Sequence, residues 1–231
     1  MQITDGIVDV FPVPGEATSL ALGQDANLWF TNGNVGRMSP STGQVTTFAP
    51  PTNLRGVTNI ISGPDGKLWI GAWRQPAAPV AGRGPEGSPT IGVLAKVTLN
   101  GAFQTFHEFP LAWATPRVRT CGADGNAWYS GMVGGTNRPR LGLSRITPSG
   151  ATADFDTGLA AWQQTLVTDA AVGPDGNTWF TETESGGPGA IGYIPVTPAA
   201  GACSLPVSPQ STLRVSVDGS GTGTVSGGGI D

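Results

Sequence analysis

Charge is scarce in this chain. Asp, Glu, Lys and Arg together make up 12% of the 231 residues, and they balance to −4. An acidic, sparsely charged surface disfavours a nucleic-acid partner, whose phosphates call for a basic face. Cysteine is scarcer still. Cys121 and Cys203 are the only two, too few for a disulfide scaffold, and a bond between them is left open. No apolar run approaches the roughly 18 residues of a membrane-spanning helix. No charged and then apolar leader follows Met1. Glycine is plentiful but lacks the every-third-residue spacing of collagen.

What the chain has in excess is glycine and proline, 36 and 20 residues. Together they interrupt helices every few residues and favour turns. Hydrophobic residues reach 38%, with seven Trp, too much buried-type surface for a solvated coil. The length allows one large all-β domain or two small ones, with a sizeable core.

One unit recurs four times. It reads Asp25-Ala26-Asn27-Leu28-Trp29-Phe30-Thr31, Asp65-Gly66-Lys67-Leu68-Trp69-Ile70-Gly71, Asp124-Gly125-Asn126-Ala127-Trp128-Tyr129-Ser130 and Asp175-Gly176-Asn177-Thr178-Trp179-Phe180-Thr181. A glycine landmark follows each: Gly36, Gly92, Gly142 and Gly192. From landmark to next Trp the distance is nearly constant at 33, 36 and 37 residues. The length variation therefore falls between each Trp and its landmark. Without it the repeat is about 40–44 residues, the size of a four-stranded propeller blade.

Each unit reads as four strands. An apolar strand (Val57–Ser62, Leu166–Val172) leads through an Asp-Gly turn to the Trp strand; a third strand follows the landmark (Leu94–Leu99), and a Gly turn leads to the fourth (Ala102–Phe109, Ala151–Phe155). The Trp residues are read as packing between neighbouring blades. The Asp residues are turn formers, since a Ca²⁺ loop needs several oxygen ligands at close spacing. Gly6–Pro14 reads as a fourth strand without its first three, of the kind that closes a ring. The last unit, Trp162–Thr197, has no obvious fourth strand. The fold class is therefore all-β, a β-propeller with about four visible four-stranded blades, a count that suits a fragment of a larger, six- to seven-bladed ring. Residues 1–198 are assigned to the propeller.

Residues 199–211 read as a Pro-rich linker, and 212–231 as the start of a small β module that resembles internalin-type surface repeats. Further domains are expected C-terminally.

The blade unit, most clearly Gly173-Pro174-Asp175-Gly176-Asn177-Thr178-Trp179-Phe180-Thr181-Glu182 followed by Ile191-Gly192-Tyr193-Ile194, resembles the streptogramin lyase (virginiamycin B lyase) family. The resemblance spans roughly residues 6–198. It implies a seven-bladed propeller that opens streptogramin B rings by elimination with Mg²⁺, using a His base in a Pro-His-Gly-Ile segment. Such chemistry needs a base beside a carbonyl and a cation to steady the enolate. The base register, eleven residues before each Trp, holds Thr18, Thr58, Arg117 and Thr168, so no catalytic residue is assigned. Glu16 stands at one of the family's metal-ligand offsets; the other holds Gly33, Trp73, Met132 and Thr183. Glu16, Glu182 and Glu184 are the candidates for Mg²⁺. The single His, His107, falls in a fourth strand, away from the channel.

The variable segments, Arg74–Pro89, Met132–Arg140 and Glu182–Ala190, join second to third strands on the face that carries the family's active site. Trp73, Arg74, Arg117, Arg138 and Arg140, with Arg83, make a candidate cationic loop face for an anionic or carboxylate-bearing small molecule. A carbohydrate or protein ligand is the alternative partner. The reading is a binding or interaction propeller of an exported bacterial protein, secreted or at the cell surface. The alternative is a Mg²⁺-dependent lyase whose catalytic blades lie outside this chain. A lactonase-like metal hydrolase is a third, weaker reading.

Overall fold

The computed structural model describes residues 10–76, 90–112, 115–133, 140–155, 165–184, 189–200 and 203. Every regular element in them is a β-strand. Blade 1 contains β1 (Ser19–Leu22), β2 (Leu28–Thr31), β3 (Val35–Met38) and β4 (Val45–Phe48). Blade 2 contains β5 (Ile60–Ser62), β6 (Leu68–Arg74), β7 (Thr90–Val97) and β8 (Phe103–Ala112). Blade 3 contains β9 (Arg117–Cys121), β10 (Ala127–Val133), β11 (Arg140–Ile146) and β12 (Thr152–Phe155). Blade 4 contains β13 (Thr165–Val172), β14 (Thr178–Glu184) and β15 (Gly189–Ile194). Each blade is an antiparallel meander in chain order, with four strands in blades 1 to 3 and three in blade 4.

The turn between first and second strands is built the same way each time. The Trp indole N–H donates to the carboxylate four residues earlier: Trp29 to Asp25 at 3.0 Å, Trp69 to Asp65 at 2.7 Å, Trp128 to Asp124 at 3.2 Å and Trp179 to Asp175 at 3.0 Å. The ring lies over the glycine that opens the turn. A Cβ on Gly23, Gly63, Gly122 or Gly173 would collide with it. The Asp is thus a turn residue, as expected, and also the partner that lets a polar indole N–H go into the core.

Innermost strands pack in succession, β1 on β5, β5 on β9 and β9 on β13. The Trp of each of blades 1 to 3 is covered by the following blade. Trp29 clusters with Leu54, Val57 and Ile60, Trp69 with Val118, Tyr129 and Ile146, and Trp128 with Val167, Ala170 and Phe180. The expected inter-blade packing role holds for these three fully buried residues; Trp179 differs and is 36% exposed.

Two expectations about the repeat are corrected. First, the landmark glycines are not equivalent. Phe30 faces Gly36 and Phe180 faces Gly192, but the matching partner of Ile70 is Ala95 and that of Tyr129 is Ser144. Gly92 and Gly142 lie three and two residues before those partners, and all four landmark glycines fall inside the third strands rather than before them. In blades 1 and 4 the physical reason is the facing ring: Phe30 and Phe180 lie where a Cβ would be. Ile70 leaves room for the Ala95 Cβ, and the Tyr129 ring, which meets Phe109 at 5.3 Å, faces Ser144. Second, part of each variable segment is strand. Arg74 pairs with Ile91, Met132 with Leu141 and Glu182 with Ala190, so the hairpins lengthen into ribbons on one face.

Cys121 and Cys203 form a disulfide, with Cα atoms 5.7 Å apart. The segment after β15 runs under the turns of blades 4 and 3. Val196 N–H donates to Asn177 Oδ1 and Ala199 N–H to the Ala123 carbonyl. The start of the expected linker is thereby tied to the propeller. The remainder of that linker, the β module at 212–231 and residues 6–9 of the expected closing strand lie outside the described residues. Val10–Pro14 carries no strand. No described helix is long and apolar enough to cross a membrane.

Candidate functional site

The innermost strands line two cavities. One, of about 430 Å³, runs along β1, β5 and β9 past Asn59, Arg119 and Asp169 to the disulfide. The other, of about 540 Å³, opens on the ribbon face and is lined by Thr58, Thr115, Arg117, Arg119, Ser130 and Thr168 among others.

The second cavity gathers three of the four base-register positions: Thr58, Arg117 and Thr168. The register marks the channel end of each first strand but not one Cα position: Ser19 and Asp169 face Thr31 and Thr181, so Thr18 and Thr168 stand one residue earlier, whereas the β9 bulge puts Arg117 itself opposite Ser130. There the residue meets the one two positions after the blade Trp. Thr18 and Thr31 hydroxyls lie 3.1 Å apart, those of Thr168 and Thr181 lie 2.7 Å apart, and Arg117 pairs with Ser130. In blade 2 the facing residue is Gly71, where a side chain would strike the Pro116 carbonyl, and Thr58 Oγ1 donates to the Gly71 carbonyl at 3.2 Å. Hydroxyls and a guanidinium can hold an anion; at neutral pH none of them removes a carbon-bound proton.

Arg119 joins Arg117 because a bulge in β9 opposite Trp128 and Tyr129 turns both toward the channel. Its Nε donates to Ser130 Oγ at 2.8 Å and a terminal nitrogen donates to the Val167 carbonyl at 3.1 Å. Burial pushes the Arg119 pKa down, Asp169 pulls it up and neighbouring Arg117 pushes it down again, for a net fall. A guanidinium stays charged through such a shift. Sequence reading did not single out Arg119; the two-residue spacing on one strand was the available signal. Arg117 itself is exposed and has no ion-pair partner among the described residues.

The other proposed positions are arranged differently. Arg74 holds both oxygens of Glu108, at 2.8 and 2.7 Å. That contact lowers the Glu108 pKa and raises the Arg74 pKa. Its charge is already matched. The Trp73 ring lies against Gly56, and its backbone bridges to Arg55. Arg140 begins β11, with its side chain outside the described part; Arg83 and Arg138 lie outside the described residues. His107 is in β8, a fourth strand, tilted against the Phe109 ring at 4.6 Å.

Glu16 is exposed on the approach to β1, and Glu182 is buried on β14, in the blades at the two ends of the arc. The Glu184 side chain is outside the described part. Among the described residues no group of three His, Cys, Asp or Glu converges. The described side chains thus do not form a ligand set for the Mg²⁺ that the resemblance implies.

No family model matches the chain, and no curated protein matches it. Solved structures do. The PQQ-bound aldose sugar dehydrogenase of Streptomyces coelicolor is similar at 15% identity and a TM-score of 0.54, over 79% of this chain and 60% of that one. The extracellular domain of a hybrid two-component system from B. thetaiotaomicron is similar at 15% identity and a TM-score of 0.50, over 80% and 22%. Virginiamycin B lyase from Staphylococcus aureus is similar at 18% identity and a TM-score of 0.40, over 80% and 73%. At these identities the likenesses bear on fold alone, and the fold is an all-β propeller architecture of which four blades are described here.

Proposed function

We propose that the chain is a ligand-binding propeller of an exported bacterial protein, and that its channel mouth takes a small carboxylate-bearing anion. The observation that carries this is the pairing of Arg117 and Arg119 on one strand, lining one cavity with the hydroxyls of Thr58, Ser130 and Thr168. In a chain of net charge −4, two guanidiniums in one concave site form a local anion trap. Arg119 is held in place by Ser130 and Val167, while exposed Arg117 is left to meet the ligand. The disulfide supports export, because such bonds persist in oxidising compartments. The resemblance to the lyase family supports the bacterial origin.

The experiment is calorimetric titration with a panel of small mono-, di- and tricarboxylates. At least one should bind, and Arg117→Ala should weaken it about 10- to 100-fold, the scale of one charge-assisted contact. Far-ultraviolet circular dichroism should stay unchanged. No binding across the panel at millimolar concentration, or an unchanged Kd in the variant, would sink the proposal.

A further inference from the structure

The first and second strands of blades 1 and 2 pair in unbroken register. In blades 3 and 4 the register slips once, and the extra residues are Arg119 on β9 and Thr168 on β13. Bulges re-aim the side chains beside them. These two stand on innermost strands that pack on each other. Next to the second is another charge, Asp169. It lines the cavity that runs to the disulfide, and Arg119 lines that cavity and the ribbon-face cavity alike.

Asp169 is exposed, and its Oδ1 accepts the Ala170 N–H at 2.9 Å. Its charge acts on Arg119, yet it makes no ion pair among the described residues. An ionised carboxylate only accepts hydrogen bonds, so its second oxygen suits a donor, best a cationic one. Two polar neighbours on the same cavity differ. Ser19 faces Thr31 as Asp169 faces Thr181, and it already accepts the Ile60 N–H at 3.1 Å. Asn59 has a side-chain oxygen that is buried with no hydrogen-bond partner, a rare and costly state. The disulfide side of the channel therefore has acceptors to spare, one of them charged, while the ribbon-face mouth presents Arg117.

We propose that the channel takes an amino acid, with the carboxylate on Arg117 at the ribbon-face mouth and the ammonium at Asp169 on the disulfide side. This rests on the carboxylate reading of the mouth and adds a second charge of opposite sign. Arg119, engaged by Ser130 and Val167, stands between the two ends and fixes the direction. Turned round, the ligand would bring its ammonium against two guanidiniums and its carboxylate against Asp169.

The test is calorimetric titration at neutral pH with acids paired by carbon skeleton, with and without an amine: alanine and propionate, γ-aminobutyrate and butyrate, aspartate and succinate, glutamate and glutarate. In at least one pair the amine should tighten binding about tenfold or more, the scale of a hydrogen bond to a charged group. Asp169→Asn should abolish that gain and leave the amine-free acid bound at least as tightly, because an anionic neighbour is gone. A role in folding alone would not move the two ligands in opposite directions. Should the variant unfold, the hydroxy acid of the same skeleton decides on the wild-type chain: it keeps the size without the charge and should bind like the amine-free acid. Acids that bind equally well with and without the amine, a hydroxy acid as tight as the amino acid, or a gain that survives Asp169→Asn overturn this proposal and leave the carboxylate reading standing. No binding by either member of any pair overturns both.

Discussion

A single aspartate in each blade both shapes the turn and accepts the indole N–H. Three carry a second contact through Oδ2 from an Asn side chain two residues on, at 2.9 Å in each of Asp25, Asp124 and Asp175. Blade 2 has Lys67 there, and Lys96 from the third strand takes Asp65 Oδ2 at 2.8 Å. Burial pushes the Asp65 pKa up, but hydrogen bonds from Lys96 and Trp69 and the Lys96 charge pull it further down. A carboxyl held below its ordinary range stabilises the fold above that range and loses the contribution as pH falls through the folded value. The indoles themselves differ by burial. Trp69→Ala and Trp128→Ala should each destabilise by about 3–5 kcal/mol, the scale of a large core deletion. Trp179→Ala should cost less, because that ring is 36% exposed. Urea midpoints read the difference, and equal losses at all three would contradict the partial exposure of the Trp179 ring.

The element scale shows what a sequence can and cannot disclose. The Trp strand and the Asp turn were legible because both are local: seven residues contain the glycine, the carboxylate and the ring it holds. The landmark glycine was not, because it answers to the residue across the strand pair. A Cβ at Gly36 collides with Phe30, while Ala95 sits comfortably opposite Ile70. Gly36→Ala should therefore destabilise blade 1, and Phe30→Ile in the same chain should recover part of the loss. A double-mutant cycle on unfolding midpoints reads the coupling, and strict additivity would refute the facing-ring account. The site was half legible for the same reason. Arg117 stood out by its place in the Trp register. Arg74 stood out by its loop, yet Glu108, distant in sequence, neutralises it. Arg119 stands two residues from Arg117 on β9, a legible spacing, but the bulge beside it is announced by no residue pattern.

At the scale of the whole molecule, the disulfide ties the segment beyond blade 4 back to the innermost strand of blade 3. The sequence leaves the pair open because 82 residues separate the cysteines, and only the crossing under two blades brings them together. A loop of that length restricts the unfolded chain by about 4.5 kcal/mol in the chain-entropy picture. Reduction, or Cys203→Ser, should lower the thermal midpoint in calorimetry without altering the strand content; an unmoved midpoint would show that the unfolded chain gains nothing when the tie is cut. The same bond turns blades 3 and 4 into a covalent circle. One backbone cut anywhere between Cys121 and Cys203 linearises that circle and sets nothing free. A protease entering there leaves the pieces joined through the disulfide until a reductant arrives, so nicking and loss of the cut segment become separate events controlled by different chemistry.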